Sequence, residues 1–469
     1  MWNFKQFGDS IALLTDIGEQ LTYNQLTIEA EAFSNATDGR CLIFSLCENS
    51  IGSAIGYFSC IEKGIVPALL NVSLAYSLLE NLVDTYKPAF LWVPKTFNYK
   101  LYPSVYSSHN YKLLATPYGK IATLNDSLAL LLTTSGSTGS PKFVRQSYTN
   151  IKSNMQSIAK YLCLDSNERP ITTLPMNYTY GLSILQSHAY VGATMLLTEH
   201  SVTTKPFWEF LKNAQATSFG GVPYTYEMLY KMRFLSMKLP HLKTLTQAGG
   251  KLLPSLHLEF ANWCKNNGKQ FIVMYGQCEA TARMAYLPWE KSNEKIGAMG
   301  IAIPGGRFVL LDVDETPITK THVTGELQYY GENVTLGYAE CLDDLQKGDE
   351  RHGMLITGDM AQVDEDGYYT IVGRKKRFLK LFGNRVNLDE VERMLKTSFP
   401  TEDIACSGKD DKLVIFATRE NKLKEMRTFL ISQTGLSAQG FTTQVISNIP
   451  QNDAGKIKYS ELEKIACVN

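Results

Sequence analysis

The sequence predicts an α/β fold with a largely parallel sheet. A short apolar strand at residues 41–46 is followed by a helix with Ile51, Ile55, Phe58 and Ile61 on one face, then by the apolar run "GIVPALL". A strand, a helix and a strand within about thirty residues form the pattern of a βαβ unit. The alternation returns at "AFLWV" and at "ITTLPM", so we expect helices packed on a mainly parallel sheet.

The predicted secondary structure changes after about residue 295, where short strands and turns replace the alternation of strands and helices. The segments "IPGGRFVLLDVDETPI", "GELQYYG" and "AQVDEDGYYTIVGR" each read as strands bounded by turns. The turn "DEDGYY" between "MAQV" and "YTIV" predicts a β-hairpin.

The basic segment "RKKR" at 374–377 marks the predicted domain boundary. Beyond it we expect a helix containing Val386, Leu388, Val391 and Leu395, then the strand "KLVIFATRE" and another helix. The predicted domains are therefore 1–374 and 375–469.

Composition limits the classes of partner and compartment. Lysine plus arginine and aspartate plus glutamate number 46 each, so no overall field favours nucleic acid or a membrane surface. The nine cysteines include no CxxC pair, and the N-terminus "MWNFKQFGDSIALL" lacks the pattern of a signal peptide. No segment approaches 18 uninterrupted apolar residues. We expect a cytoplasmic protein whose partner is a small molecule or a protein.

The loop "TTSGSTGSPK" at 133–142 has the chemistry of a phosphate site. Its glycines let backbone N–H groups turn toward an anion, and its hydroxyls and Lys142 add donors and a positive charge. A Walker loop is disfavoured, because Ser140 and Pro141 separate Gly139 from the lysine and "KFVRQS" reads as extended. Read alone, such a loop is more often a plain connection.

Seven ordered motifs give this loop its context. The motifs are "TTSGSTGSPK", "LPMNYTYGLS", "QAGGKLL", "MYGQCEAT", "TGEL", "ITGDMAQVDEDGYYTIVGRKKRFLKLFGNRVNLDEVE" and "PQNDAGKIKY". With these motifs in this order, the chain resembles the AMP-forming adenylating superfamily from about residue 20 to its end. That superfamily includes acyl-CoA synthetases, nonribosomal peptide adenylation domains and firefly luciferase.

The resemblance implies a fold and a reaction. The fold is a large N-terminal domain of βαβ subdomains plus a small distorted β-barrel, with a small α+β C-terminal domain that rotates. In the reaction a carboxylate attacks the α-phosphate of ATP, pyrophosphate leaves, and a thiol captures the acyl-adenylate. The implied cofactors are ATP, Mg²⁺ and the thiol of coenzyme A or phosphopantetheine. Two anions must meet, so catalysis is mostly positioning and charge neutralisation.

The resemblance also implies residue roles, carried over position by position. Glu279 corresponds to the magnesium-binding glutamate, and Asp359 and Arg374 would hold the ribose hydroxyls. Ala248, Gly249 and Gly250 would lie against adenine. The remaining nucleotide-binding positions are Tyr275 and Gly276 and, on the β- and γ-phosphates, Thr134, Ser135, Gly136, Ser137, Thr138, Gly139 and Lys142.

The C-terminal segment supplies three further positions by resemblance. Lys456 would bridge the substrate carboxylate and the α-phosphate during adenylation. Lys376 would be the hinge about which the C-terminal domain rotates, and Gly383 would line the thiol tunnel. Without the motif order, Lys456 would read as a surface lysine and "RKKR" as a solvated basic patch.

The acid pocket is expected to draw on Tyr178, Tyr180, Gly181 and Gly221, although an aromatic lining is also typical of a core. No acidic residue occurs between Ile171 and Tyr190, and burying a substrate ammonium without a counter-charge costs several kcal/mol on a rough scale. An α-amino acid is therefore disfavoured. Cys278 stands where most members carry threonine.

The favoured function is an acid–thiol ligase that acts on a small carboxylic acid and delivers the acyl group to coenzyme A or to an acyl or peptidyl carrier protein. One alternative is a stand-alone amino-acid adenylating enzyme that loads a carrier protein. Another is a non-catalytic nucleotide-binding protein on the same fold. Such a protein would be expected to have lost Glu279 or Lys456, and both residues are present. A phosphotransferase is a third alternative, but the sequence lacks the Walker lysine and the helix that this class needs.

Overall fold

The computed structural model describes residues 1–99, 102–133, 142–312, 314–382, 384–434, 437–451 and 457–468. The chain forms two compact units, one of residues 1–307 with 329–355 and one of 308–328 with 356–469. The division predicted at 374/375 remains a prediction. No helix in these described ranges is long and apolar enough to cross a membrane.

The first unit is a layered α/β structure. Its helices are α1 (Tyr23–Thr37), α2 (Ile51–Glu62), α3 (Tyr76–Tyr86), α4 (Tyr148–Tyr161), α5 (Thr179–Tyr190), α6 (Lys205–Asn213), α7 (Pro223–Lys231) and α8 (Pro254–Asn266). Its strands are β1 (Ile11–Thr15), β2 (Gln20–Thr22), β3 (Leu42–Cys47), β4 (Val66–Asn71), β5 (Phe90–Pro94), β6 (Ser104–Ser108), β7 (Tyr111–Ala115), β8 (Leu128–Thr133), β9 (Phe143–Ser147), β10 (Met195–Leu197), β11 (Ser218–Gly221), β12 (Thr244–Gln247), β13 (Gln270–Tyr275), β14 (Ala285–Tyr286), β15 (Ile301–Ala302) and β18 (Gly337–Ala339).

The largest sheet of this unit has a parallel centre and antiparallel edges. Its strand order is β18-β9-β8-β4-β3-β5-β7-β6. The pairs β3–β4, β3–β5 and β4–β8 are parallel, as the βαβ pattern predicts. The pairs β8–β9 and β18–β9 are antiparallel.

Helix α2 shows why the sequence forms these elements. All four predicted stripe residues, Ile51, Ile55, Phe58 and Ile61, are buried, and Ser50 caps the helix by accepting a hydrogen bond from Ser53 N. The helix is buried on nearly every side, which is why its sequence is apolar almost all round.

A second sheet, of order β11-β12-β13-β14-β15, forms the framework for the site described below. Its first three strands are parallel, and Gly221, Gln247 and Val273 lie side by side in register. The carboxyl ends of these strands therefore meet at one edge. A third sheet, of order β10-β1-β2, completes the unit.

The second unit combines a β region with a small α+β region. Its strands are β16 (Arg307–Leu311), β17 (Gly325–Tyr330), β19 (Met354–Val363), β20 (Tyr369–Arg374), β21 (Phe378–Leu381), β22 (Asn384–Asn387), β23 (Ile404–Lys409), β24 (Lys412–Ala417) and β25 (Phe441–Val445), the ends of some reaching into the first unit's residue ranges. Its helices are α9 (Leu388–Ser398), α10 (Leu423–Thr434) and α11 (Tyr459–Val468).

The predicted hairpin is present as β19 and β20, which pair antiparallel. Asp364 Oδ1 accepts hydrogen bonds from the backbone N–H groups of Asp366 and Tyr368, which fixes the turn. The strands β16-β17-β19-β20 form an open four-stranded sheet, and the described sheets include no closed barrel. The chain has the predicted α/β class, and the small distorted β-barrel that the resemblance implies is not among the described sheets.

One predicted helix begins later than expected. Val386 lies in β22, which pairs with β21 as a hairpin, and α9 starts at Leu388. The side chain of Asn387 accepts a hydrogen bond from Asp389 N and so caps the helix. Val386 packs into the same core as the helix residues although it lies in a strand, and the apolar spacing alone does not distinguish the two cases.

Candidate active site

The carboxyl edge of β11, β12 and β13 brings together two of the predicted motifs, "QAGGKLL" and "MYGQCEAT", and the predicted pocket residue Gly221. Gly221 ends β11, Ala248 and Gly249 follow β12, and Tyr275 ends β13. The backbone N–H of Ala248 donates to the carbonyl of Gly221 at 3.2 Å, which joins the first two segments. In open α/β sheets, ligands bind in the crevice at such carboxyl ends.

Gly249 is where the tyrosine motif meets this edge. Its φ is +84°, and a Cβ added there would lie 2.6 Å from the hydroxyl of Tyr178 and 3.1 Å from Val222 Cγ1. Only glycine fits both the backbone conformation and the space. At Gly250 an added Cβ would lie 3.1 Å from the ring of Pro223. Burial raises the pKa of Tyr178 to about 12, so its hydroxyl stays protonated.

Tyr180 packs beneath the same edge. Its side chain is buried, and its hydroxyl lies 2.8 Å from Thr246 Oγ1 on β12. An added Cβ at Gly181, in the first turn of helix α5, would lie 2.5 Å from the carbonyl oxygen of Pro175, so this position also needs glycine. Tyr178 is half-buried, so of the two predicted pocket tyrosines Tyr178 is the more accessible.

A buried arginine that sequence reasoning missed lies beside Tyr180. The guanidinium of Arg283 is 5.3 Å from the centre of the Tyr180 ring, and its Nε donates to Ser183 Oγ at 3.1 Å. Its Nη1 donates to the hydroxyl of Tyr161 at 3.0 Å. In the described part of the chain no carboxylate forms an ion pair with it. An arginine inside the apolar run "ATARMAYL" was the available signal.

Glu279 lies on a short 3₁₀ turn, Cys278–Ala280, just after β13. Its backbone carbonyl accepts hydrogen bonds from Thr335 N at 3.0 Å, Thr335 Oγ1 at 3.0 Å and Arg351 Nη1 at 3.1 Å. Its carboxylate Oε1 accepts from the hydroxyl of Tyr338 at 2.8 Å. The carboxylate is therefore held in a defined orientation. Gly276 permits the turn, because an added Cβ would overlap the carbonyl of Ala282.

Tyr338 connects Glu279 to the end of the glycine-rich loop. It lies on β18, opposite Val144 of β9. Lys142 Nζ is 3.8 Å from the centre of its ring, and the guanidinium carbon of Arg351 is 4.7 Å from it. Burial and the neighbouring Glu279 raise the pKa of Tyr338 to about 12, so the hydroxyl remains a donor. Sequence reasoning identified neither Tyr338 nor Arg351, which lie outside the motifs.

The residues at Glu279 fit a magnesium ion bound together with phosphate. The described residues contain no group of three or more His, Cys, Asp or Glu that could hold a metal. Mg²⁺ is usually held by one or two carboxylates plus substrate phosphates, so a single oriented carboxylate suffices. Bound there, the ion would offset charge on the phosphates.

In the second unit, the predicted ribose pair forms an ion pair. Arg374 Nε lies 2.7 Å from Oδ1 of the buried Asp359, and the two residues are opposite each other on β19 and β20. Lys376 is exposed on the 3₁₀ turn Lys375–Arg377. The other predicted positions lie outside the described residues, namely Thr134, Ser135, Gly136, Ser137, Thr138, Gly139, Gly383 and Lys456.

A parallel sheet whose carboxyl edge gathers glycines, tyrosines and an oriented carboxylate is typical of a ligand-binding α/β enzyme. The family model described as "AMP-binding enzyme" matches residues 2–339, and this chain belongs to that family. The superfamily, the α/β fold class and the AMP-forming ligase class predicted from sequence are thereby confirmed.

Curated relatives are CoA ligases. The chain is 26% identical to a 2-succinylbenzoate–CoA ligase of Listeria monocytogenes over 346 residues, which covers 72% of this chain and 70% of the relative. It is 27% identical to the 4-coumarate–CoA ligase-like 4 protein of Oryza sativa subsp. japonica, covering 73% of this chain and 63% of the relative.

Solved structures share the fold over nearly the whole chain. An o-succinylbenzoate CoA synthetase from Bacillus subtilis, in complex with its acyl-adenylate intermediate, has a TM-score of 0.80 at 20% identity, covering 98% of this chain and 97% of that one. ATP-bound MatB from Rhodopseudomonas palustris has a TM-score of 0.79 at 19% identity, covering 98% of each chain.

Proposed function

We propose that this protein is an AMP-forming acid–CoA ligase that acts on a small carboxylic acid. In the first step a carboxylate oxygen bonds to the α-phosphorus of ATP, and the bond to the β-phosphate oxygen breaks, releasing pyrophosphate. In the second step the thiol sulfur of coenzyme A bonds to the acyl carbon, and AMP leaves with loss of the thiol proton to solvent.

The observation that carries this proposal is the orientation of Glu279 at the carboxyl edge that Tyr178 and Gly249 share. Four hydrogen bonds hold its backbone carbonyl and its carboxylate, so an ion bound there faces a preorganised ligand. Acyl transfer through an adenylate needs such charge neutralisation because two anions must approach each other.

The proposed roles of the remaining residues follow their positions. Lys142 would neutralise phosphate charge, and the carboxylate of Asp359 would accept hydrogen bonds from the ribose hydroxyls. Lys456 would bridge the carboxylate of the acid and the α-phosphate. Lys376 and Gly383 would act as hinge and thiol-tunnel residue. A buried cation at Arg283 repels an ammonium group nearby, which supports an acid without an α-amino group.

The test is acid-dependent exchange of labelled pyrophosphate into ATP across an acid panel, followed by thioester formation with coenzyme A or with a phosphopantetheinylated carrier protein. We expect exchange with at least one amine-free acid and thioester with coenzyme A. Thioester with the carrier alone would overturn the acceptor assignment. Exchange only with amino acids would overturn the substrate class, and no exchange with any acid would overturn the function.

The Lys456→Ala variant separates the two half-reactions. We expect it to reduce adenylation strongly while sparing thioester formation from supplied acyl-adenylate, because a lysine that bridges acid and phosphate acts only in the first step. Normal adenylation by the variant would show that the role assigned to Lys456 is wrong.

A further inference from the structure

We propose that Arg351 is a binding residue for the β- and γ-phosphates of ATP and for the pyrophosphate they become, acting with Lys142 around the ring of Tyr338. This inference rests on the proposed function, because it assigns a new residue to the same nucleotide. None of the sequence motifs includes Arg351, and its family position carries no role in the resemblance described above.

Two positive charges lie around the ring of Tyr338. Lys142 and Arg351 place two cations 3.8 Å and 4.7 Å from the centre of one tyrosine ring. Within the described ranges neither cation forms an ion pair with a carboxylate, and both side chains are only half-buried. Two cations that are not paired with a carboxylate can each interact with the negatively charged oxygens of a polyphosphate.

Arg351 also contacts the residue proposed to bind magnesium. Arg351 Nη1 donates to the carbonyl of Glu279 at 3.1 Å and to Thr335 Oγ1 at 2.6 Å. The guanidinium therefore lies next to the residue proposed to hold magnesium. Arginine has five N–H donors in a planar fork, so these two bonds leave others for phosphate oxygens.

Hydrogen bonds preorganise the segment that carries Arg351. The carboxylate of Asp349 accepts hydrogen bonds from the backbone N–H groups of Arg351 and His352, both at 2.9 Å. The adjacent Glu350 pairs with the fully buried Arg145 of β9, and its N–H donates to Leu336 O at 2.9 Å. Glu350, the acidic residue next to Arg351 in the sequence, is thus already paired with Arg145. The backbone of Arg351 is held in place without it.

A purely structural role for Arg351 is the competing interpretation, because it also cross-links two loops. The two roles differ in what they do to AMP, which lacks the β- and γ-phosphates. Loss of a structural cross-link would weaken AMP and MgATP alike. Loss of a phosphate ligand would weaken MgATP and magnesium pyrophosphate but not AMP.

The experiment is calorimetric titration of the full chain with MgATP, magnesium pyrophosphate and AMP, without acid or thiol. For Arg351→Gln we expect at least a tenfold rise in the Kd of MgATP and of pyrophosphate, with the Kd of AMP changed less than twofold. Arg351→Lys should recover part of the loss because it keeps the charge but not the fork.

Arg307→Gln is the matched control, since the guanidinium of Arg307 also stacks on a tyrosine, 3.7 Å from the centre of the Tyr330 ring. It should leave all three affinities unchanged. Equal weakening of AMP and MgATP by Arg351→Gln, or unchanged MgATP binding, would overturn the proposal. Because AMP binding reports a folded site and no acid is added, this outcome is distinguishable from failure of the ligase function itself.

Discussion

The hydroxyl of Tyr338 donates a 2.8 Å hydrogen bond to Oε1 of Glu279, joining segments 59 residues apart. The bond fixes one carboxylate oxygen of the residue proposed to bind magnesium. Because the raised pKa of Tyr338, about 12, keeps its hydroxyl protonated, this orientation holds throughout the neutral pH range.

Tyr338→Phe removes this bond but keeps the ring. A hydrogen bond to a charged group contributes about 1.5–3 kcal/mol, so we expect acid-dependent pyrophosphate exchange to slow by about tenfold or more, with a higher magnesium requirement. Exchange rates measured over a magnesium titration check this. The exposed Tyr230→Phe is the control. An unchanged magnesium curve would contradict the role given to the hydroxyl.

Glu279→Gln tests the metal itself. The amide keeps the shape but loses the charge, so we expect adenylation to fall by about a hundredfold or more, as for other electrostatic catalytic groups. Chelation of magnesium should abolish wild-type exchange, and added magnesium should restore it. The exposed Glu332→Gln should behave as wild type. If Glu279→Gln keeps full magnesium-dependent activity, Glu279 is not the residue that binds the metal.

Gly249→Ala should destabilise the site edge. Its φ of +84° disfavours an L side chain, and the new Cβ would meet the hydroxyl of Tyr178. We expect about 1–2 kcal/mol lower free energy of unfolding in urea. Adding Tyr178→Phe should recover only the steric part of that loss. Gly348→Ala is the control and should be neutral, because a Cβ added there meets nothing within 4 Å. If Gly249→Ala is as stable as Gly348→Ala, the predicted clash with Tyr178 does not occur.

Asp359→Ala should weaken AMP and MgATP equally, because the ribose is common to both. A charge-assisted hydrogen bond is about twice as strong as a neutral one, and we expect roughly a tenfold rise in both Kd values. Calorimetric titration measures both. The control is Glu365→Ala in the turn of the same hairpin, which breaks the exposed pair that Glu365 forms with His322. Selective loss of MgATP alone would contradict ribose binding.

His188 should make stability fall in acid. Burial lowers its pKa to about 4, against an ordinary value of 6.5, so the stabilisation is complete above about pH 6.5 and is lost as pH falls toward 4. At pH 5 we expect this group to cost about 2 kcal/mol of unfolding free energy. Urea unfolding at pH 7 and pH 5 should show a smaller difference in His188→Gln than in wild type. Parallel losses in wild type, His188→Gln and the exposed His241→Gln would refute this.

Local patterns in the sequence were sufficient for much of the fold. The βαβ alternation, the extended "KFVRQS" strand and the "DEDGYY" hairpin all depend on contacts between near neighbours, which apolar period and turn residues report directly. Val386 shows the limit, because a strand and a helix that share one core present the same apolar spacing.

The sequence by itself determined the α/β class, the family through the order of its motifs, and the glycines and Glu279 of the candidate site. Only the tertiary structure brought Tyr338, Arg351 and Arg283 to that site. These three residues lie in segments without a motif, and their contacts join positions far apart in the chain. Such contacts depend on sheet register and loop path, so no local pattern of residues encodes them.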